Sequence, residues 1–248
     1  AAATTLMEGE KAKAVFCYDK WRGVDMPPIR LAFNNLPTYM KGPARPIPVE
    51  IKEEAKKALD KFVEQGYLVQ HDRGSYGAGL VCVWKADKSA RICGDYRQIN
   101  KHIQNIPLLM PEIVECLERM KKFTHFAEFD WTTAFHQLPI DEYTSERLAV
   151  TTPWGIFRPK FVPEGIACGS ALLMQHAQSV FREYAEWLVP VHDNILVGGN
   201  SQEEILERTK ILIECCYQNN IQLKIAKSKV GVKALKFFGF ILTHGKYY

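Results

Sequence analysis

Nowhere in the 248 residues is there an apolar run long enough to cross a bilayer, and no internal repeat or low-complexity tract is present. Seven cysteines are scattered without a single C-x-x-C, so their spacing specifies neither a zinc ribbon nor a disulfide framework. Reduced thiols in an intracellular or intraparticle setting are the expectation, and secretion is not. The start, AAATTLMEGEKAKAV, lacks a charged segment ahead of a long apolar one, and it reads as a loose terminus rather than a leader. Neither sign of charge dominates: 32 Lys and Arg against 28 Asp and Glu give a net +4, which permits nucleic-acid binding without demanding it. With 47% hydrophobic residues the chain has enough core for one large domain or two small ones.

Proline is plentiful in one place. MPPIR, NNLPTY and KGPARPIP crowd residues 22–48, which predicts an extended arm. In PVEIKEEAKKALDKFVEQG, Ile51, Ala55, Ala58, Leu59, Phe62 and Val63 recur on one helical face, and Gly66 is the stop. GLVCVWKADKSARICGDYRQIN predicts a hairpin turning near Asp87–Ser89. PEIVECLERMKK is a short amphipathic helix with Ile113, Leu117 and Met120 inward, and THFAEFDW is a strand reaching Asp130. RLAVTTPWGIFRPKFVP predicts a hairpin turning at Trp154–Gly155, and GSALLMQHAQSVFREYAEWL a helix with Ala171, Met174, Phe181 and Leu188 in register. LVPVHDNILVGG is another hairpin, Ser201-x-x-Glu204 a capping box for a long helix, and LKFFGFILTHGKYY a closing hairpin. Strand, helix, hairpin, helix, strand is a split β-α-β order: an α+β fold with an antiparallel sheet and helices on one face.

Such a sheet sets the Asp130 strand beside the hairpin that carries Asp193. Two carboxylates at neighbouring strand ends suit Mg²⁺, which takes hard oxygen ligands and is often completed by water and phosphate. An Asp-Asn pair at a turn is also ordinary turn chemistry, because both side chains cap the local backbone. The pair by itself leaves both readings open.

Six segments in one order resemble the reverse transcriptases of gypsy-type LTR retrotransposons and retroviruses. SARICGDYRQIN resembles R-x-C-x-D-Y-R-x-L-N. FAEFDWTTAFHQLPI resembles F-S-x-x-D-L-x-x-G-Y-H-Q-I-P-I. RLAVTTPWGIFRPKFVPEG resembles K-T-A-F-x-T-P-x-G-x-Y-x-F-x-x-M-P-F-G. VHDNILV stands in the place of Y-x-D-D-I-L-V, with LKIAKSK and LKFFGFIL following as L-x-P-x-K-C and F-L-G-H do. The resemblance implies an arm over 1–44, mainly fingers over 45–125, and mainly palm over 126–248 with a fingers insertion near 140–165. The family's thumb, connection and RNase H regions are expected to lie outside this sequence.

The implied activity is RNA-directed DNA polymerisation: two-metal transfer of a deoxynucleotide from a dNTP to a primer 3′-hydroxyl. Asp130 and Asp193 match the metal-binding acids, with the Trp131 carbonyl as a further ligand for two Mg²⁺ ions, or Mn²⁺, and Asn194 as an auxiliary position. Phe135 matches the aromatic that excludes a ribose 2′-hydroxyl, although alone it reads as a core aromatic. Lys85 and Arg91 match residues that reach the triphosphate. Gln137 and Gly165 match the nucleotide pocket. Lys229 matches a lysine near the pyrophosphate, or is simply an exposed lysine. Phe238 and Gly239 match the primer grip. Implied partners are an RNA or DNA template–primer, dNTPs and a second subunit or the missing regions, with no membrane. A retroelement particle, the cytoplasm or the nucleus is the implied location.

Three departures stand out. Val191 replaces the tyrosine of Y-x-D-D, Asn194 replaces its second acid, and Glu164 sits in the middle of P-F-G. They keep a second reading open, a weak or inactive reverse-transcriptase-like domain that binds nucleic acid. A metal nuclease using the two acids is a third, which the order of the motifs disfavours.

Overall fold

The computed structural model describes residues 9–16 and 22–248, with the backbone alone for residues 225–228. Cys17 and residues 1–8 of the expected loose terminus lie outside the described residues. The chain forms two compact units. One contains residues 9–16, Pro107–Ala134 and Ser170–Tyr248, and the other residues 22–106 and Phe135–Gly169.

The first unit is built on a four-stranded antiparallel sheet, ordered Leu223–Val232, His125–Trp131, Asn194–Gly199, Leu188–Val191. Pro190 is tolerated because its strand lies at the sheet edge. Along HFAEFDW, alternation sends Ala127, Phe129 and Trp131 to one face and Phe126, Glu128 and Asp130 to the other. The first of these faces is apolar throughout, all three residues being buried. Helix Gln202–Gln218 covers it, with Ile205 against Gly199, and Phe16 of helix Glu10–Phe16 meets Phe129 at 6.3 Å. On the second face Phe126 joins Val189, Val191 and Leu196. Cys116, Leu117 and Met120 of helix Ile113–Met120 complete that cluster, with Leu235, Phe237 and Leu242. Each such side chain, fully buried, contributes about 1.5–3 kcal/mol. Beyond this cluster the same face turns polar at Glu128 and Asp130.

Several expectations are corrected here. Residues 10–16 are helical, with Ala12, Val15 and Phe16 buried, where a loose terminus was expected. The helix after Gly169 stops at Val180, and a 3-10 turn follows at Arg182–Tyr184. Leu188 opens a strand instead, pairing with Val197 and burying fully. The C-terminal hairpin is a three-stranded sheet: Leu235–Phe237, Phe240–Thr243 and Lys246–Tyr247. Ser201 caps its helix by accepting from the Glu204 amide (3.0 Å), but the Glu204 carboxylate reaches the Asn200 amide rather than that of Ser201.

The second unit carries a six-stranded mixed sheet. Its path runs Met40–Lys41, Tyr76–Trp84, Val150–Thr152, Gly155–Pro159, Leu68–Gln70, and Ala90–Asp95 also pairs with Tyr76–Trp84. The proline-rich arm contributes isolated bridges at Ile29 and Phe33 and the Met40–Lys41 strand. Helix Val49–Glu64 buries Ile51, Ala55 and Leu59, while Val63, expected inward, is 40% exposed. It ends in a Schellman motif: Tyr67 and Gly66 amides return to Phe62 and Val63 carbonyls, with Gly66 at φ +82°. Thr152 pairs with Gly155, so that hairpin turns at Pro153–Trp154, one residue before the expected place.

Candidate active site

The candidate residues divide between the units. In the first, Asp130 and Asn194 are direct partners in the antiparallel ladder. Val191 pairs with Asn194, leaving His192 and Asp193 as a two-residue turn. Of those two only His192 has positive φ (+53°), the pattern of a type II′ turn, where glycine is the usual residue. The Trp131 amide donates to the Asp193 carbonyl at 2.8 Å, tying the turn to the end of the Asp130 strand. Asp193 is exposed and Asp130 half-buried. The Trp131 side chain is in the core, so only its main chain faces the possibility of a ligand.

Two neighbours of Asp130 are missing from the candidate residues, one legible in the sequence and one not. Glu128 lies two residues earlier on the same face, a placement the period-2 pattern of FAEFD carries. Burial first, then the charge of Asp130, raises the Glu128 carboxyl above its ordinary value, and Lys229 works against them. Lys224 is the ladder partner of Asp130 on its other side, as Lys229 is of Glu128. Ladder partners share a face, with Cβ atoms about 5 Å apart. Lysines thus stand beside both acids of this strand.

The expected primer-grip pair is also a two-residue turn. Phe237 pairs with Phe240, and Phe238 (φ +48°) and Gly239 (φ +85°) are both left-handed, a type I′ pattern. The Phe238 ring, half-exposed, lies 5.7 Å from the His192 ring. The tip of one hairpin is therefore held against the tip of the other. Lys229 is exposed.

In the second unit Val83 pairs with Arg91, and the Lys85 amide donates to the Ser89 carbonyl. That register places Lys85 and Arg91 on one face of the hairpin. Lys85, with Lys88 and Trp84, lines an open cleft of about 450 Å³ whose other wall is Glu50, Glu53 and Glu54. Arg91 is ion-paired with Glu164. Phe135 is half-buried, and its ring lies 3.5 Å from where a Cβ at Gly169 would stand. Gln137, expected to line a pocket, is 2% exposed and lies inside the unit. Gly165 takes φ +90°, which disfavours any side chain there, and its carbonyl accepts from Asn100.

Among the described residues no three His, Cys, Asp or Glu side chains converge as a metal site. Asp130 and Asp193 offer hard oxygens, one of them open to solvent. This suits Mg²⁺ that keeps its water and is completed by phosphate, rather than a closed protein cage.

A family model described as Reverse transcriptase (RNA-dependent DNA polymerase) matches residues 83–242. The chain is 22% identical over 191 residues to the Transposon Tf2-7 polyprotein of Schizosaccharomyces pombe, covering 75% of this chain and 14% of that protein. It is 25% identical over 155 residues to the enzymatic polyprotein of cauliflower mosaic virus, covering 62% of this chain and 23% of that protein. It thus spans less than a quarter of either relative. Among solved structures, the foamy viral protease-reverse transcriptase in complex with RNA/DNA hybrid superposes with TM-score 0.86 at 17% identity, over 99% of this chain and 33% of that one. The prototype foamy virus protease-reverse transcriptase CSH mutant does so with TM-score 0.83 at 18% identity, over 99% and 32%. At such identities the likeness shows the fold. The family match runs over more than half of the sequence, and the chain belongs to the reverse transcriptase (RNA-dependent DNA polymerase) family.

Proposed function

We propose that this chain is the nucleotidyl-transfer core of an RNA-directed DNA polymerase from a retroelement polyprotein, acting on a template–primer and dNTPs. The observation that carries the reading is the ladder pair Asp130–Asn194, with the Trp131–Asp193 hydrogen bond bringing the second acid to the same strand end. Asp130, Asp193 and the Trp131 carbonyl would hold two Mg²⁺ ions, or Mn²⁺. Those ions, when bound, activate the attacking primer oxygen and stabilise the leaving pyrophosphate. The chain's own residues bind and orient. Phe238 and Gly239 position the primer end, and Lys85, Arg91 and Lys229 offset triphosphate charge. The Phe135 ring leaves a 2′-hydroxyl neither room nor partner. Gly165 shapes the nucleotide pocket from its backbone, and buried Gln137 supports it from within. Mainly fingers over 45–125 and mainly palm over 126–248 with a fingers insertion near 140–165, an intracellular or particle location, and a second subunit or the family's remaining regions as partner belong to the same proposal.

Primer extension on an RNA template with Mg²⁺ or Mn²⁺ tests it. Asp130→Ala is expected to lower extension by about 10²–10³ or more, with template–primer binding retained. Extension unchanged in Asp130→Ala sinks the site.

One observation favours a second reading, a weakly catalytic domain that chiefly binds nucleic acid. Asp130 is flanked in the ladder by Lys224 and Asn194, a cation on one side and an amide on the other. The cation beside Asp130, and the amide that stands in place of an acid, both weaken the attraction of this strand end for a dication. Under this reading wild type extends poorly, and the pair Asn194→Asp with Lys224→Asn tightens Mn²⁺ binding and restores extension. Efficient extension by wild type dismisses it.

A further inference from the structure

Arg91 and Glu164 are 73 residues apart, and the pairing that joins them is built by the fold. Arg91 leaves the strand Ala90–Asp95, held in register opposite Val83. Glu164 stands on a loop pinned at both ends. Before it, the Val162 amide donates to the Leu138 carbonyl at 2.9 Å. After it, the Asn100 side chain grips the loop twice. Its Nδ2 donates to the Gly165 carbonyl at 2.8 Å, and its Oδ1 accepts from the Ala167 amide at 3.0 Å. The loop's shape therefore does not depend on the Glu164 side chain. The guanidinium and the carboxylate meet at a surface where both are open, with side chains 55% and 40% exposed.

A phosphate oxygen and a carboxylate oxygen make the same charge-assisted bonds to a guanidinium. Glu164 thus occupies the group that the proposed function gives to the triphosphate. We propose that Glu164 is an internal competitor for Arg91, which an incoming nucleoside triphosphate must displace. Its carboxylate weakens nucleotide binding in two ways. It fills Arg91 in the free protein, and once displaced it remains as a like charge beside the phosphates. Because the pair is solvated, displacement is easy. Exposed ion pairs shift an equilibrium by no more than a few-fold, and repulsion from a polyanion adds to that. The consequence is a core that needs more nucleotide to fill and gives it up more readily. This rests on Arg91 being the triphosphate-binding residue.

The test is equilibrium binding of a fluorescent dNTP to the whole chain in metal-free buffer, so that Asp130 and Asp193 do not enter. Glu164→Gln keeps the side chain's shape and removes its charge. It is expected to tighten binding about three- to tenfold, with the gain shrinking as salt is added. Arg91→Ala is expected to weaken binding on the order of tenfold. In the double variant the gain from Glu164→Gln should shrink to about twofold, because only the direct repulsion of the phosphates is left to relieve once the guanidinium is gone. If Glu164→Gln leaves binding unchanged or weakens it while Arg91→Ala still lowers it, Glu164 is a support that orients Arg91 and the competitor is overturned. If Arg91→Ala binds like wild type, the assignment of Arg91 itself falls and the competitor goes with it.

Discussion

His136 follows the half-buried Phe135 and is itself buried, its ring stacked 4.2 Å from that of Tyr67. Burial brings its pKa down from 6.5 to about 4. Between those values the unfolded chain binds a proton that the folded chain refuses. Stability is therefore fully present above pH 6.5 and is lost as pH falls toward 4. The gap corresponds to roughly 3 kcal/mol. His136→Phe, which can stack on Tyr67 without titrating, should flatten the fall in stability between pH 7 and pH 4.5, as read by urea unfolding. An unaltered slope would show that other groups govern acid sensitivity. At this scale the sequence is legible where chemistry is local. Asp130 and Asp193 stand out as acids at strand ends, and Glu128 follows from alternation in FAEFD. Lys224 does not. The ladder advances five residues from Lys224 to Lys229 while its partner strand moves two, from Asp130 to Glu128. That irregularity breaks any count of alternation, so only the folded register shows which lysine faces which acid.

At the scale of elements, local signals set starts and stops. Ser201 caps its helix through the Glu204 amide, so Ser201→Ala should lower the stability of the first unit by about 1 kcal/mol in urea denaturation. Gly66, at φ +82°, closes helix Val49–Glu64, and Gly66→Ala should cost about the same or somewhat more. A negligible change in both would mean that tertiary packing alone holds these ends. Where packing decides, the sequence pattern misleads. Leu188 continues the helical spacing of Ala171, Met174 and Phe181, yet it begins a strand. Pairing with Val197 at the sheet edge buries it fully, and a longer helix would forgo that ladder. Val63 fits the apolar stripe of its helix but falls in the last turn, where the core has ended.

At the scale of the whole molecule, a net charge of +4 is modest for the proposed nucleic-acid partner, so under that proposal binding depends on where the lysines and arginines stand. Affinity for an RNA/DNA hybrid, followed by fluorescence anisotropy, should fall roughly tenfold between about 50 and 200 mM salt for every two phosphates neutralised. Affinity indifferent to salt would contradict phosphate-led binding. All six described cysteines are free, and Cys215 and Cys216 are buried in helix Gln202–Gln218. The sequence by itself determined the class of fold, the order of the motifs and which two acids are the candidates. The fold class follows from periodicity and turn chemistry, and the two candidate acids from the family resemblance of short motifs, none of which needs knowledge of distant neighbours. The tertiary structure alone decided which side chains meet: Lys224 across from Asp130 and His192 against Phe238 in the first unit, and Glu164 on Arg91 in the second. These contacts join segments tens of residues apart through ladder register and pinned loops. Charges that are far apart along the chain interact only once folding has brought them within a few ångström.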